Sequence, residues 1–291
     1  MKRLGLHALL FVATFASCWL SGGPVFAATL MTILLAHEMG HYVVARHHGV
    51  DMSLPYFIPL PYVSMGTLGA VIRMKDPITR RDALIDVGAA GPLAGLIVAL
   101  PLLVWGQWTS PVTHVAGAGG MTEGNSLLYA VVKLAVHGRF LPDGAVDVQM
   151  GPMAEAAWFG ILLTFINLMP IGQLDGGHIA AAYFGADHER RAPWLHRGLI
   201  VVGAGVLVVL ASEAHAAGRG LRASVTYGAL AAMPWGVWAL LLLGMRRMAG
   251  GVYHPPVEDA PLSPSRRRLF WLMVVVFVMV LTPVPMRETL P

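Results

Sequence analysis

The chain is short of two things. It has one cysteine, Cys18, in 291 residues, and Asp, Glu, Lys and Arg together make only 12% of it. A single thiol excludes an intrachain disulfide, and it also excludes zinc sites built from four cysteines or from a pair of cysteines with a pair of histidines. Cys18 lies in an apolar run, where packing is its expected role. Soluble domains carry about 25% charged residues, so the lack of charge excludes an ordinary soluble globule. What the chain has instead is 56% hydrophobic residues and a mean hydropathy of +0.64, the balance of an integral membrane protein. Its net charge of +4 is modest and calls for no nucleic acid. Membrane proteins gather basic residues on the cytoplasmic side. No polar stretch is long enough for a separate soluble domain, and no internal repeat is present.

Crossing the hydrocarbon core takes about 20 apolar residues. Seven stretches qualify: 4–21, 24–46, 86–106, 154–170, 197–212, 225–245 and 269–284. The expected fold is therefore an all-α polytopic membrane protein of about seven transmembrane helices. Three parts are expected: an N-terminal transmembrane helix (1–23), a core (24–185) and C-terminal transmembrane helices (186–291). The first stretch has the basic start and small residue of a signal peptide. The next apolar run follows so closely that an uncleaved span is the preferred reading. Basic residues alternate with the spans: Lys2 and Arg3, then Arg46, Arg73, Lys75, Arg80 and Arg81, then Arg190, Arg191 and Arg197, then Arg246, Arg247 and 266–268. This predicts a cytoplasmic N-terminus in the cell (inner) membrane. Loop 212–224, with Arg219 and Arg222, fits the alternation least well.

Between the second and third spans, segment 52–76 is too polar and too broken to cross. Pro55, Pro59 and Pro61 forbid a regular helix there. Its small and β-branched residues, starting at Gly66, Thr67, Leu68 and Gly69, predict a membrane-associated β-hairpin or small sheet. A free edge of that sheet is placed to pair with an extended substrate by strand addition; an ordinary interfacial loop is the alternative. The outer loop 109–153 contains an amphipathic stretch, 127–136, and 255–265 is a Pro-rich linker.

The organising stretch is 29–48, an apolar helix with three polar residues set into it. His37 and His41 are four apart, which at about 3.6 residues per turn puts both imidazoles on one face. With Glu38 they make H-E-x-x-H, in which two neutral imidazoles bind zinc and the Glu handles a proton of the attacking water. An ionisable side chain in such a segment costs about 2.5–3.5 kcal/mol on insertion scales and is functional by default. A polar cluster satisfied inside the bundle is the bland alternative.

A catalytic zinc takes three protein ligands and leaves a position open. His47 stands at the spacing of a longer pattern, but Val44 occupies the position where that pattern turns the chain with a Gly. His47 and His48 are read instead as an interfacial basic pair. The better third ligand is Asp175, in the stretch 165–179. Pro170 ends the apolar run there, and Gly176 and Gly177 allow tight backbone paths. The alternation of spans puts Asp175 level with His37 and His41. A D-G-G turn is the bland reading. Asn167 is placed either to donate to a substrate carbonyl or to pair with backbone, and His178 is either a supporting group or an inert helix residue.

HEMGH in an early span, GAAGPLAGL (88–96) and NLMPIGQLDGGH later resemble the site-2 protease family of intramembrane zinc metalloproteases, in the branch without a PDZ domain. The resemblance covers roughly residues 24–185. It implies one Zn2+ held by His37, His41 and Asp175, with Glu38 as general base, and an active site shaped by Asn167 and Pro170. It implies hydrolysis of peptide bonds in or near the transmembrane segments of membrane proteins, so the partners are a transmembrane protein substrate and the bilayer. A transporter or channel using the His, Glu and Asp cluster as a relay is the competing class, and a metal-stabilised structural bundle is a third.

Overall fold

The computed structural model describes residues 2–61, 65–74, 76–114, 121–144 and 146–288. Expectations for Lys75, for 62–64 of the hairpin segment and for 115–120 and 145 of the outer loop lie outside these. Helix α1 (Lys2–His47) is two helices joined at Gly23, whose φ of 84° and ψ of 178° are non-helical, with Pro24 next. Glycine alone takes that conformation cheaply, and proline suits the first position of the following helix. The chain reverses at this joint. His7 Nδ1 lies 3.1 Å from the Pro55 carbonyl oxygen. A straight helix from His7 to His47 would measure about 60 Å, whereas 48–55 can reach at most about 28 Å.

Two strands follow, β1 (Tyr56–Pro59) and β2 (Thr67–Val71), paired antiparallel with Tyr56 opposite Val71 and Phe57 opposite Ala70. The hairpin expected in 52–76 is therefore present. It packs on the first half of α1, where Phe11 meets Phe57 edge-on at 5.2 Å. Helix α2 (Arg81–Trp108) packs closely on the second half of α1. The two backbones come close at Gly40, where a Cβ would collide with the Ala90 carbonyl oxygen.

The outer loop is more ordered than its composition suggests. It contributes β3 (Val112–His114), β4 (Met121–Glu123), α3 (Leu127–His137) and β5 (Val146–Val148), with β3 paired to β5. Ser126 caps α3 by accepting from the Tyr129 N–H, and Gly138 closes it in the left-handed region. Then come α4 (Pro152–Asn167), α5 (Asp175–Phe184), α6 (Asp187–Ala216), α7 (Leu221–Met248) and α8 (Pro264–Val280), ending in β6 (Met286–Glu288), which pairs with β4.

By length and hydropathy, α1, α2, α6 and α7 can cross a membrane. The chain is a mostly helical, multi-pass membrane protein with small two-stranded sheets. Several expected boundaries move: the span drawn at 197–212 lies in a helix that runs from Asp187 to Ala216, and two ends fall short. The span drawn to 170 stops at Asn167, and the one drawn to 284 stops at Val280. Each prolongs an apolar run into a segment whose backbone turns at a proline. The core sits where α1, α2, α4 and α5 meet, around Leu30, Ile33, Leu84, Ile85, Ile161 and Phe165, all 2% exposed or less.

Candidate metal centre

His37 and His41 project from the second half of α1, and both are buried. The stretch after α4 brings the third group. Pro170 lies in the connection between α4 and α5, and Asp175 is the first residue of α5, so D-G-G opens a helix and is not a turn. Gly176 and Gly177 serve this directly: a Cβ on either would collide with backbone carbonyl oxygens, of Leu168 and Gly172 respectively. The connection is folded tightly enough to set the Asp175 carboxylate against both imidazoles.

His37 Nε2 is 3.2 Å from Asp175 Oδ2, and His41 Nε2 is 3.3 Å from Asp175 Oδ1. The two Nε2 atoms are 3.2 Å apart. Tetrahedral zinc with bonds of about 2.0–2.1 Å separates its donor atoms by about 3.3 Å. The triangle therefore has the size of a metal centre, and these residues form the metal-capable His/Asp group among the described residues.

Protonation points the same way. His41 Nδ1 lies 2.8 Å from the Val87 carbonyl oxygen. A carbonyl only accepts, so Nδ1 carries a proton, and in the neutral ring that binds a metal Nε2 then presents its lone pair toward His37 and Asp175. Asp175 Oδ2 is buried and receives no hydrogen bond, so its 3.2 Å approach to His37 is proximity without donation. Lone pairs and a carboxylate converging on one buried point repel one another unless a cation sits between them. The donor set fits a divalent metal.

Two glycines of α2, both in the 88–96 stretch, make the room. A Cβ on Gly91 would collide with the His41 ring, and one on Gly95 would lie 3.3 Å from His37 Cβ. Sequence reading names this stretch without giving it a role, and it misses Val87. The glycine spacing 88, 91, 95 along one helix face was the available signal. No residue type could announce the Val87 carbonyl, because the contact is to backbone.

Glu38 is 6% exposed. With His37 it faces a cavity of about 50 Å³ whose walls include Leu68, Gly69, Thr164 and Asn167. Asn167 Nδ2 is 3.4 Å from His37 Nε2. Leu68 and Gly69 of β2 thus come to the site. Gly66 and Thr67 face elsewhere: Gly66 accepts at its carbonyl from Ser17 Oγ at 2.6 Å, and Thr67 Oγ1 donates to the Ile58 carbonyl at 2.9 Å. Pro170 is not among the residues that line the cavity.

The model of peptidase family M50 matches residues 25–211. A relative from Arabidopsis thaliana, probable zinc metalloprotease EGY1, chloroplastic, is 28% identical over 260 residues, which are 88% of this chain and 42% of that protein. Probable zinc metalloprotease EGY2, chloroplastic, of the same plant is 34% identical over 175 residues, 59% of this chain and 31% of that protein. The EGY1 protein of Oryza sativa subsp. japonica is 29% identical over 267 residues, 90% of this chain and 40% of the relative. The chain thus spans about two fifths or less of the length of these curated relatives.

Proposed function

From the premise that this chain belongs to peptidase family M50, we propose that it is an intramembrane zinc metalloprotease that hydrolyses peptide bonds in or near the transmembrane segments of membrane proteins. The observation that carries the reading is the convergence of His37, His41 and Asp175, from two distant stretches, at donor spacings of 3.2–3.3 Å.

In this reading His37, His41 and Asp175 hold one zinc ion. When bound, zinc polarises the scissile carbonyl and lowers the pKa of water toward about 7. Glu38, beside His37 on the cavity wall, takes a proton from the attacking water at its carboxylate. It then delivers that proton to the leaving amide nitrogen. Asn167 donates from its side-chain amide to the substrate carbonyl. Val87 holds His41 in the tautomer that leaves Nε2 free. The Leu68–Gly69 segment of β2 offers backbone groups to a substrate unwound into a strand. Helical carbonyls are already bonded within their own helix, so the substrate must unwind before attack.

The cell membrane is the proposed location, with the N-terminus and the site toward the cytoplasm. Both halves of α1, with α2, α4, α6, α7 and α8, would give the seven spans. Support comes from the basic residues that gather where 48–81 meets the linker after α7. Arg80 donates to the His48 carbonyl, Arg81 to that of Ala260, and Arg266 pairs with Asp86.

The test is elemental analysis of purified protein paired with cleavage of a model membrane substrate. Wild type should hold one zinc per chain and cut. Asp175→Ala should lose both zinc and cutting. Full zinc retention by Asp175→Ala would remove it from the ligand set, and zinc-loaded protein that transports but never cuts would favour the relay class.

A further inference from the structure

A second group of imidazoles lies beyond the first. His178 follows Asp175 by one turn of α5. Its Nδ1 is 2.7 Å from Nε2 of His254, which belongs to the linker between α7 and α8. His254 is held in place. Its backbone N–H donates to Glu189, as does that of Tyr253, and its own Nδ1 is 2.6 Å from the Pro255 carbonyl oxygen. A carbonyl only accepts, so His254 Nδ1 bears the proton and Nε2 turns a lone pair toward His178. This is the arrangement in which an imidazole oriented by a backbone carbonyl serves as a metal ligand.

The third member is His188, near the start of α6. It is 2% exposed, and neither of its ring nitrogens has a hydrogen-bond partner among the described residues. Its ring centre is 6.2 Å from that of His254, with the planes at 80°. A buried imidazole with both nitrogens unsatisfied is rare and asks for a ligand. The cluster opens on a groove of about 810 Å³ lined by Arg73, Met74, Gln173, His178, His254 and Pro255, which gives a solvated ion a route in. Burial also lowers the proton affinity of His254, which favours the neutral ligand form.

We propose that His178, His254 and His188 form a second site for a divalent transition metal of intermediate softness, separate from the His37–His41–Asp175 centre. Three neutral imidazoles suit Zn2+, Ni2+ or Co2+ and do not suit Mg2+ or Ca2+. His178 Nδ1–H donates to His254 Nε2 at 2.7 Å, closer than the about 3.3 Å between two donors of one ion, so binding an ion replaces that proton and parts the two rings. His188 stands outside bonding range and closes on the ion by a side-chain movement. A bound ion ties the linker to α5 and α6. The proposal needs no catalytic activity and stands whether or not the chain is a protease.

The experiment uses full-length protein in detergent, loaded with one zinc and desalted. Ni2+ is then titrated by calorimetry, and bound metal is counted by elemental analysis. Wild type should take up a second equivalent. His254→Gln, which keeps a hydrogen-bonding side chain beside His178, should lose that equivalent yet retain the first zinc and the melting temperature. His188→Ala should weaken Ni2+ binding at least tenfold. Asp175→Ala should lose the first metal and keep the second site. A wild type that binds no Ni2+, or a second equivalent unchanged in both His254→Gln and His188→Ala, would overturn the proposal and leave a hydrogen-bonded histidine pair.

Discussion

A single methyl group tests how the metal centre is made. Gly91 sits under the His41 ring with no space for a Cβ, whereas Gly236 has nothing within 4 Å of where one would go. Alanine favours a helix interior over glycine by about 1 kcal/mol. Gly236→Ala should therefore be neutral to slightly stabilising. Gly91→Ala should displace His41 and lower zinc content well below one per chain. Gly95→Ala, with a tolerable 3.3 Å approach to His37, should fall between them. Elemental analysis of the three variants orders them. Glu38 is tested by Glu38→Gln, which keeps size and removes the base. The zinc content should stay at one per chain while cleavage falls about 10²–10⁴-fold. Cleavage that survives would end its assignment as base.

At the scale of elements, the outer loop is held by a buried charge. Lys133 on α3 is fully buried, 3.0 Å from Asp147 and 3.5 Å from Glu123. One ammonium serves two carboxylates. Removing it strands both, which costs about 3–5 kcal/mol for a broken buried pair. Lys133→Met should lower the melting temperature by several degrees, while Lys133→Met with Asp147→Leu and Glu123→Gln should recover much of the loss.

The same cluster predicts a pH effect. Burial raises the pKa of Glu123 above its ordinary value near 4.5, although Lys133 and a hydrogen bond donated by Tyr129 oppose the rise. Asp147, and Glu155 on α4, also face it and add negative charge. The folded protein therefore holds this proton at pH values where the unfolded chain has released it. The contribution is full below about pH 4.5 and is lost as pH rises through the raised value. Chemical unfolding measured across that window should show stability falling with pH, and Glu123→Gln should flatten the slope.

At the scale of the whole molecule, the metal ties elements together. Without it, α1 and α5 carry three donors that repel across about 3 Å. With free zinc at about a hundred times its dissociation constant, binding adds about 2.7 kcal/mol to stability. Chelation should lower the melting temperature of wild type and zinc should restore it. His37→Ala should respond to neither. A chelator with no effect on wild type would mean that the group holds no structural ion.

Different parts of this protein were decided at different levels. The His37–Glu38–His41 spacing, the apolar runs of the four long membrane-length helices, the hairpin in 52–76 and the amphipathic stretch 127–136 were legible in the sequence, because each depends on contacts a few residues apart. Periodicity and turn chemistry act at that range. D-G-G stayed open to two readings for the same reason: locally it favours a turn, and only packing against Leu168 and Gly172 makes it the start of α5. The meeting of Asp175 with two histidines more than 130 positions earlier was decided in three dimensions. So were the Val87 carbonyl on His41, the space at Gly91, the pairing of β4 with β6 and the His178–His254 contact. These depend on where whole helices come to rest, and the residue types involved carry no mark of it.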